Sequence, residues 1–451
     1  MRGLQCDKSL WLLKNKPELR ELADKVEGRF EQGLSVGDLA QKLFPNGQLV
    51  SFNANNLKSM AQETRQLIES ASTTIYEATF IANGVFASID ILHKDEAGWH
   101  IYEVKASTKV KGINIVDATS QYLTINDSLP IKSVNIIHVN NQYIFDNTLN
   151  INDLFIIKDI TEEVHETCTD LPGKINHLQG VIKVNKEPLI DIGPYCSNPY
   201  PCDFAKYCKK HLPKASVFNL YRMNTKKKYQ HYYNGVISYQ QAKEHLKLNT
   251  TQKLQVNSHL NNEVIIDRQK IQNFIEKISY PISYFDFETF NEAIPRFNGQ
   301  RPYQQMPFQY SLHIENAEGE VEHKEFLADE NNDPRLPLVE AMLNDLPKQG
   351  SIMAFNQSFE IARIKELALA FPIHKEALES LIPRFVDLIV PFRKLGYYHP
   401  DFHGSFSIKS VLPAMFPNEA DLDYKQLDIQ NGGMAMDTFA NLPRLKDKTK
   451  R

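Results

Sequence analysis

Two carboxylates and a lysine near the start of the sequence have the types and spacing of a phosphodiester-cleaving site. Asp90 ends one alternating apolar segment, and Glu103 and Lys105 end the next, so a hairpin brings the three side chains together. Glu103 and Lys105 are two positions apart and therefore share a face of their strand. Carboxylate oxygens suit Mg²⁺ or Mn²⁺, and the ammonium group can orient an attacking water or neutralise the phosphorane.

Taken alone, a Glu-x-Lys pair has a simpler interpretation, which is a salt bridge on the exposed face of a strand. The surrounding pattern favours a catalytic arrangement. Apolar alternation with breaks at turn residues predicts a β-meander, followed by a helix and further strands of an α/β core. The predicted elements are three strands from Thr73 to Ser107, a helix over 114–126, a strand over 133–140 and two more strands around Tyr143 and over 154–160.

The meander, its carboxylates and a Gln-Tyr pair on the following helix together resemble the RecB-like branch of the PD-(D/E)xK nucleases. The resemblance covers residues 1–214 and implies a restriction-endonuclease core with a Mg²⁺ or Mn²⁺ site. It implies Asp90 and Glu103 as metal ligands and Lys105 as the group that positions water. The complete implied active site is Asp90, Glu103, Lys105, Gln121 and Tyr122.

The sequence departs from this branch at one position. Many members carry a metal-binding histidine after a G-x-x-x spacing, and here Gly37 stands in that place after Gly33. The nearby acids Asp38 and Glu31 are candidate substitutes. The departure leaves open an incomplete metal site.

Four of the five cysteines form a layout of one distant residue and three evenly spaced ones. Five residues separate Cys196 from Cys202 and Cys202 from Cys208, and Cys6 lies far upstream on a predicted helix. The layout resembles iron–sulfur nucleases of the AddB type and of the CRISPR-adaptation family, which implies a 4Fe-4S cluster that joins the two ends of the nuclease domain. Zinc is the alternative, although the paired spacings of structural zinc sites are absent. Cys168 has no matching partner and is expected to be structural.

A second pair of carboxylates, Asp286 and Glu288, occupies alternate positions of an apolar strand. Two-metal 3′-5′ exonucleases use such a pair to hold both ions, and a buried carboxylate pair requires a metal or protons. A chance pair of this kind is frequent. About seventy residues later, Asn356 and Glu360 lie on a predicted strand-to-helix segment, and Asp387 follows. These residues resemble the motifs of DnaQ-like enzymes, with glutamate in place of the usual second aspartate.

Residues 281–442 as a whole resemble a domain of uncharacterised function that is often fused behind RecB-like iron–sulfur nucleases. The resemblance implies an RNase H-like α/β fold of the DnaQ type. Tyr424 and Asp428 match the third exonuclease motif literally, but their surroundings predict a strand or loop rather than a helix. Relatives continue past the position of Arg451 into a helix bearing Y-C-x-x-D-T, so we expect either a truncated chain or an incomplete second site.

The stretch Tyr221–Tyr233 interleaves basic residues with tyrosines. Such a composition suits phosphate contacts and base stacking on single strands. A solvated connector is the equal alternative, because the stretch lies in a predicted helical connector at 215–279, between domains at 1–214 and 280–451. The candidate nucleic-acid contacts are Arg222, Lys226, Lys227, Lys228 and Tyr229.

Composition narrows the class of protein but not its partner. The 451 residues include 51 Lys and Arg against 55 Asp and Glu, so a net charge of -4 gives no global attraction to a polyanion. Five cysteines are too few for a disulfide scaffold. No apolar segment is long enough for a transmembrane helix, and we expect a cytoplasmic protein with no membrane partner.

The sequence thus predicts a metal-dependent nuclease, with DNA favoured over RNA and single strands favoured as substrate. The alternative is a nucleic-acid-binding or assembly protein that keeps two nuclease folds without turnover, which the glycine at position 37 and the incomplete third motif favour. Repair, CRISPR-related processes or defence are the expected contexts, with helicase, CRISPR or repair proteins as partners. The sequence does not predict an oligomeric state.

Overall fold

Two sheets organise the chain, one in each of two structural units of the computed structural model. The first unit comprises Met1–Cys208 and Glu292–Gln304, and the second comprises Lys209–Asn291 and Gln305–Arg451. Both units mix helices with a sheet, which confirms an α/β class. The residues that the structure describes are 1–21, 26–419, 422, 429 and 432–442.

The first unit has a six-stranded mixed sheet whose spatial order follows the chain. The second, third and fourth strands are antiparallel neighbours, the fourth and fifth are parallel, and the fifth and sixth are antiparallel. The strands are β1 (Gln48–Leu49), β2 (Thr74–Ala82), β3 (Val85–Asp95), β4 (Gly98–Lys105), β5 (Ile131–Val139) and β6 (Phe155–Asp159).

Turn residues fix the two hairpins that carry the predicted carboxylates. Asn83 and Gly84 have φ values of 52° and 73°, the left-handed backbone that a two-residue turn between β2 and β3 favours. At the next turn, Asp95 Oδ1 accepts hydrogen bonds from the Ala97 and Gly98 amides at 2.8 and 3.2 Å. The strand register that brings the candidate site together is therefore set by local turn chemistry.

Helices cover both faces of this sheet. The helices along this part of the chain are α1 (Arg2–Gln5), α2 (Asp7–Asn15), α3 (Val26–Gln41), α4 (Leu57–Glu69), α5 (Gly112–Ile125), α6 (Ile151–Leu154), α7 (Thr161–Thr167), α8 (Leu171–Val181) and α9 (Ala205–Lys209), the last of which ends one residue into the second unit. Met60 of α4 and Ala118 of α5 lie in one buried cluster with Ile101 of β4. Val36 of α3 lies in a second cluster with Ile137 of β5. Helix α5 is thus held against the sheet face from which Glu103 projects.

In the second unit, helices alternate with a five-stranded sheet and a two-stranded one. The helices are α10 (Thr225–Tyr233), α11 (Tyr239–His245), α12 (Thr250–Asn261), α13 (Arg268–Ile275), α14 (Arg335–Asp345), α15 (Ser358–Ala370), α16 (Lys375–Leu381), α17 (Val390–Arg393), α18 (Ile408–Met415) and α19 (Gly432–Asn441). The strands are β7 (Ile265–Ile266), β8 (Ile282–Phe290), β9 (Met306–Glu315), β10 (Val321–Leu327), β11 (Ser351–Ala354), β12 (Phe385–Asp387) and β13 (Tyr397–Tyr398).

The five-stranded sheet has the order β10-β9-β8-β11-β12. Strand β9 is antiparallel to both of its neighbours, whereas β8, β11 and β12 are parallel to one another. Strand β11 pairs only with the first half of β8, with Met353 opposite Tyr284, and β12 ends beside the end of β11. The ends of β11 and β12 therefore lie near the middle of β8. This edge carries Asp387 and lies beside the strand that carries Asp286 and Glu288.

Most of the predicted elements are present, and two predictions are corrected. The meander, the helix with Gln121 and the strand that carries Asp286 are confirmed. No strand forms at Tyr143, which is buried in a loop where its hydroxyl accepts from the Asn150 amide at 3.1 Å. Cys6 lies between α1 and α2 in extended backbone rather than inside a helix.

The structural division also differs from the domain boundaries drawn from the sequence. Residues 292–304 belong to the first unit, where Tyr303 Oη donates to the Ala106 carbonyl at 2.8 Å and Ala293 joins a buried cluster. The predicted connector at 215–279 belongs to the second unit. Among the helices of the described ranges, none combines the length and apolarity needed to cross a bilayer.

Candidate active site

Asp90 and Glu103 lie side by side on adjacent antiparallel strands of the first unit. The ladder between β3 and β4 pairs Ile91 with Tyr102, and the next positions carry the two carboxylates. Asp90 lies within β3 rather than at its end, which corrects the sequence prediction. Its Oδ2 accepts from the Val104 amide at 2.6 Å. The Asp90 side chain thus occupies the position of the backbone carbonyl that would normally accept from this amide in a strand ladder.

A local irregularity explains why Asp90 leaves the ladder. Strands β2 and β3 pair Tyr76 with Ile91 and Ala78 with Ile89, so Glu77 faces Asp90 between the two pairs. Glu77 has a φ of 55°, which is strained for a residue with a side chain. Its Oε2 accepts from the Ser88 hydroxyl at 3.0 Å. A third carboxylate is therefore held close to Asp90.

Lys105 joins two carboxylates from different elements. Its Nζ donates to Glu103 Oε1 at 2.5 Å and to Asp117 Oδ2 at 2.8 Å. Asp117 comes from α5, one helical turn before Gln121. The sequence-based reasoning missed Asp117, although its spacing of four residues from Gln121 places both on one helix face.

Gln121 completes the cluster, whereas Tyr122 does not touch it. Gln121 Nε2 donates to Glu103 Oε2 at 2.7 Å and to the Ser88 carbonyl at 3.3 Å. Its Oε1 is buried and has no hydrogen-bond partner within the described residues. The ring of Tyr122 packs edge-on against His165, with centroids 5.6 Å apart, and its hydroxyl donates to none of the described carboxylates.

The electrostatics of the cluster favour a bound cation or protons. Burial and the neighbouring Glu103 charge raise the pKa of Asp90 well above its usual range, even though part of its surface still reaches solvent. Burial also raises the pKa of Glu103, and Lys105 only partly offsets this. Burial would lower the pKa of Lys105, but Glu103 and Asp117 raise it instead. Lys105 therefore stays charged while the carboxylates bind protons readily.

No preformed metal centre is visible in the part of the chain that the structure describes, since no three His, Cys, Asp or Glu side chains converge closely enough to hold an ion. Lys105 lies between Glu103 and Asp117, where its ammonium group supplies the positive charge that balances the two carboxylates. Gly37 has open space where a side chain would project, and Asp38 is exposed. The side chain of Glu31 lies outside the described part of the structure.

The four predicted cluster cysteines influence one another electrostatically. Burial raises the pKa of Cys6, which the Ser9 and Lys8 amides counteract and Cys196 and Cys202 reinforce. Burial likewise raises the pKa of Cys208 to about 11, with Lys8 opposing and the other three thiols adding to the increase. None of the five cysteines, all of which are described, forms a disulfide.

Polar contacts also tie the N-terminal helices to the cysteine loop. Arg2 and Arg20 donate to Asp203 at 2.7 and 2.8 Å, and Gln5 donates to the Tyr195 and Tyr200 carbonyls. Cys168 packs against the main buried cluster of the first unit, apart from these contacts. The two ends of the main segment of the first unit, Met1–Cys208, are therefore adjacent.

A second acidic cluster lies at the sheet edge of the second unit. Burial and the Asp286 charge raise the pKa of Glu288 to about 7, with Lys409 opposing. Burial, together with Asp286 and Asp387, raises the pKa of Glu360 to about 7. Asp286 reaches solvent, but the surrounding protein still raises its pKa through desolvation. The four carboxylates predicted from the sequence are close enough to interact.

Backbone amides hold one of these carboxylates in place. Asp387 Oδ1 accepts from the Asn356 amide at 2.8 Å and from the Ile389 amide at 3.1 Å. Glu360 is only 3% exposed, and its Oε2 has no hydrogen-bond partner among the described residues. Asp428, the last predicted member, lies outside the described residues.

The predicted nucleic-acid stretch divides into buried and exposed positions. Tyr229 is 3% exposed and packs edge-on against Phe218, which contradicts its predicted role in base stacking. Lys228 Nζ donates to the Phe218 carbonyl at 2.7 Å. Lys226, Lys227 and Arg222 are exposed. Only the exposed members of this stretch can contact a strand.

Comparisons with known proteins match the second half of the chain to a family defined without a function. A family model described as a domain of unknown function (DUF2779) matches residues 283–407. A relative named uncharacterized protein UU173 from Ureaplasma parvum serovar 3 is 28% identical over 195 residues, which are 39% of this chain and 28% of the relative. Uncharacterized protein MG366 from Mycoplasma genitalium is 27% identical over 186 residues, covering 37% of this chain and 27% of the relative. The matched region spans less than a third of the length of these curated relatives.

Among solved structures, the chain is similar to the crystal structure of an alkaline exonuclease (LHK-Exo) from Laribacter hongkongensis. The likeness covers 40% of this chain and 93% of that chain at 14% sequence identity, with a TM-score of 0.19. A TM-score this low supports no conclusion about the fold or the function of this protein.

Proposed function

We propose that the first unit is a metal-dependent nuclease that hydrolyses phosphodiester bonds through Asp90, Glu103 and Lys105. The observation that carries this proposal is a pair of adjacent carboxylates with raised pKa values, one of which is bound to a lysine. A structural salt bridge needs only one carboxylate. The second carboxylate and the unpartnered Gln121 Oε1 add polar groups whose desolvation costs stability unless a ligand compensates. The RecB-like core implied by the sequence fits the mixed sheet with α5 across its face.

The roles follow from the contacts. Asp90 and Glu103 would hold Mg²⁺ or Mn²⁺, which would supply polarisation of the phosphate and a bound water of lowered pKa. Lys105 Nζ lies beside Glu103 Oε1 and so faces any water held there, where its charge orients that water and offsets negative charge on the phosphate. Gln121 fixes Glu103, and Asp117 holds Lys105 from the other side.

Replacement of Lys105 tests this function directly. With the proposed second site removed by Asp286→Asn in every protein compared, Lys105→Ala should lower Mn²⁺-dependent degradation of single-stranded DNA by about 100-fold or more, the usual cost of removing a positioned charge from a transition state. Lys109→Ala is the matched control, because Lys109 is exposed four positions later. Cleavage by Lys105→Ala as fast as by the protein that keeps Lys105 would contradict the proposal.

A folding control is needed, because loss of Lys105 leaves Glu103 and Asp117 unbalanced. In the same Asp286→Asn background, Glu103→Gln keeps the ion pair between Lys105 and Asp117 and should still abolish cleavage with a normal melting curve. Titration of Mn²⁺ then separates the enzyme from the inert binding module: the enzyme binds Mn²⁺ in a Glu103-dependent manner, and the inert module does not.

The second unit supports a second candidate function, a DnaQ-like exonuclease. The specific observation is Glu360, a carboxyl that is buried without a hydrogen-bond partner in the described residues and lies near Asp286 and Asp387. A five-stranded sheet in which only the second strand of the chain order is antiparallel also fits an RNase H-like fold. Asp286, Glu288, Glu360 and Asp387 would hold the metal ions of such an enzyme.

The four cysteines are proposed to hold a 4Fe-4S cluster. Two observations support the proposal: the four thiols act on one another's pKa values, and the Cys6 sulfur accepts from two amides at the start of α2. Among the described residues the thiols do not converge into a preformed site, so binding of the cluster would have to draw them together. The cluster would supply a structural link between the ends of the first unit. Zinc remains the alternative occupant, and metal analysis distinguishes the two.

DNA is proposed as the substrate ahead of RNA, with single strands favoured. Exposed basic residues at Arg222, Lys226 and Lys227 support contacts with phosphates. Repair, CRISPR-related processes or defence are the proposed settings, with helicase or CRISPR and repair proteins as partners.

A further inference from the structure

A cavity of about 380 Å³ opens within the second unit beside the second acidic cluster. Its volume lies in the range of about 300–1,000 Å³ that is usual for small-ligand sites. One wall comes from the loop before α10, and the others come from the ends of β11 and β12 and the start of α18. Six of its lining residues are Tyr221, Arg222, Asn356, Arg393, Phe406 and Ser407.

The lining combines aromatic rings with cations. Tyr221 and Phe406 pack edge to face with centroids 5.0 Å apart and form an apolar wall. Arg222 and Arg393 are exposed, and neither forms an ion pair with a carboxylate of the described residues. Arg393 makes one weak hydrogen bond, to Asn356 Oδ1 at 3.4 Å. Two available guanidinium groups beside aromatic rings suit a flat ring that carries a phosphate.

The loop that carries Tyr221 and Arg222 is fixed by buried amides. Gln255 Oε1 accepts from the Tyr221 amide at 3.0 Å, and Gln252 Nε2 donates to the Tyr221 carbonyl at 3.0 Å. Both glutamines are buried on α12. Arg222 then adopts a φ of 48°, a strained backbone that the clamp maintains. The Arg222 guanidinium itself lies over the Tyr221 ring, 5.3 Å from the ring centroid.

The opposite wall is part of the acidic cluster. Asn356 and Ile389 line the cavity, and their amides are the two that hold the Asp387 carboxylate. Asn356 also has a left-handed backbone, with a φ of 74°. Lys409, two residues after the cavity residue Ser407, acts electrostatically on Glu288. A ligand in the cavity therefore lies next to the carboxylates.

From these contacts we propose that the cavity binds one nucleoside monophosphate unit, with its base against Tyr221 and Phe406 and its phosphate between Arg222 and Arg393. The inference rests on the proposed exonuclease function of this unit and specifies its substrate: a strand terminus, or the mononucleotide released from it, occupies the cavity. The two sources share the same chemistry, and a binding experiment separates them.

The experiment measures binding of thymidine 5′-monophosphate to the full chain without added divalent metal, by calorimetry. Arg222→Ala and Arg393→Ala should each weaken binding about tenfold or more, because a charged hydrogen bond to phosphate is lost. Lys394→Ala removes the same charge from the neighbouring exposed residue and should change affinity less than about twofold. Thymidine without phosphate should bind as weakly as the nucleotide binds to the arginine variants.

A second arm uses a fluorescent eight-nucleotide thymidylate strand. Weaker binding of the strand alone in the arginine variants identifies a strand terminus as occupant, and weaker binding of the mononucleotide alone identifies the released product. Absence of saturable binding of either ligand, or equal affinity in wild type and both arginine variants, overturns the proposal.

Failure of the cavity and failure of the exonuclease function have different signatures. Asp286→Asn should keep the affinity for the mononucleotide while removing any metal-dependent release of nucleotides by this unit. If the arginine variants bind the mononucleotide more weakly but this unit releases no nucleotides, the proposed nucleotide site is supported and the proposed exonuclease function is refuted. Release without arginine-sensitive binding refutes the cavity alone.

Discussion

At the scale of single residues, Glu360 is the group whose ionisation should most affect the folded protein. Burial, reinforced by Asp286 and Asp387, raises its pKa from an ordinary 4.5 to about 7. A carboxyl with a higher pKa in the folded state binds its proton more tightly when folded. Its contribution to stability is therefore greatest at low pH and falls as pH rises from about 4.5 to about 7.

Glu360→Gln should remove this pH-dependent penalty. We expect the variant to exceed wild type in unfolding free energy by on the order of 1–3 kcal/mol at pH 8, with little difference near pH 4.5, because one pKa unit corresponds to about 1.36 kcal/mol. Urea unfolding at both pH values measures this. Glu376→Gln, an exposed change on α16, is the control. An effect of equal size at both pH values contradicts the assignment.

Residue-level prediction from the sequence succeeds where local geometry is regular and fails where it is not. Strand alternation correctly puts Glu103 beside Lys105, and the hairpin brings Asp90 to them. The position of Asp90 within β3, however, depends on the strained backbone at Glu77, which leaves no trace in hydrophobic periodicity. Asp117 was detectable through helix spacing alone.

At the scale of elements, α10 distinguishes a packed helix from a nucleic-acid surface. Tyr229 is buried against Phe218, whereas Lys226 is exposed in the first turn. Tyr229→Ala should lower the unfolding free energy by about 3 kcal/mol, as expected for removal of a large buried ring. Lys226→Ala should stay within about 0.5 kcal/mol of wild type. Urea denaturation of both variants decides, and equal small losses would show that α10 is not packed as described.

Element types are largely predictable from the sequence, but the packing of short polar helices is not. Long segments of alternating apolar residues predict the strands of both sheets, because these strands are buried on at least one face. Residues 215–279 form a core around Val217, Tyr239 and Val256, although the surrounding composition suggests a solvated connector. Their apolar residues are spread over separate short helices, so no single helix shows a clear periodicity.

At the scale of the whole first unit, ion pairs and thiols join the two ends of its main segment. Lys8 and Lys16 contact Glu187 at 3.0 and 2.9 Å, and although burial alone would raise the pKa of Glu187, these hydrogen bonds lower it to about 2. Partly exposed ion pairs contribute little to stability. A link through the cysteines is therefore expected to dominate the connection.

Cys208→Ser tests that link. Cys6 precedes the other three cysteines by about 190 positions, and by the relation for a covalent cross-link, closing a loop of that length stabilises by roughly 5 kcal/mol. The variant should lose the visible absorbance and the roughly four iron atoms per chain of a 4Fe-4S centre, and its first 20 residues should become sensitive to protease.

The control is Cys168→Ser, which should keep iron and colour, because Cys168 packs in the main buried cluster of the first unit instead. Zinc in place of iron would identify the alternative occupant. Full iron retention in Cys208→Ser would instead contradict the assignment of Cys208 as a cluster ligand.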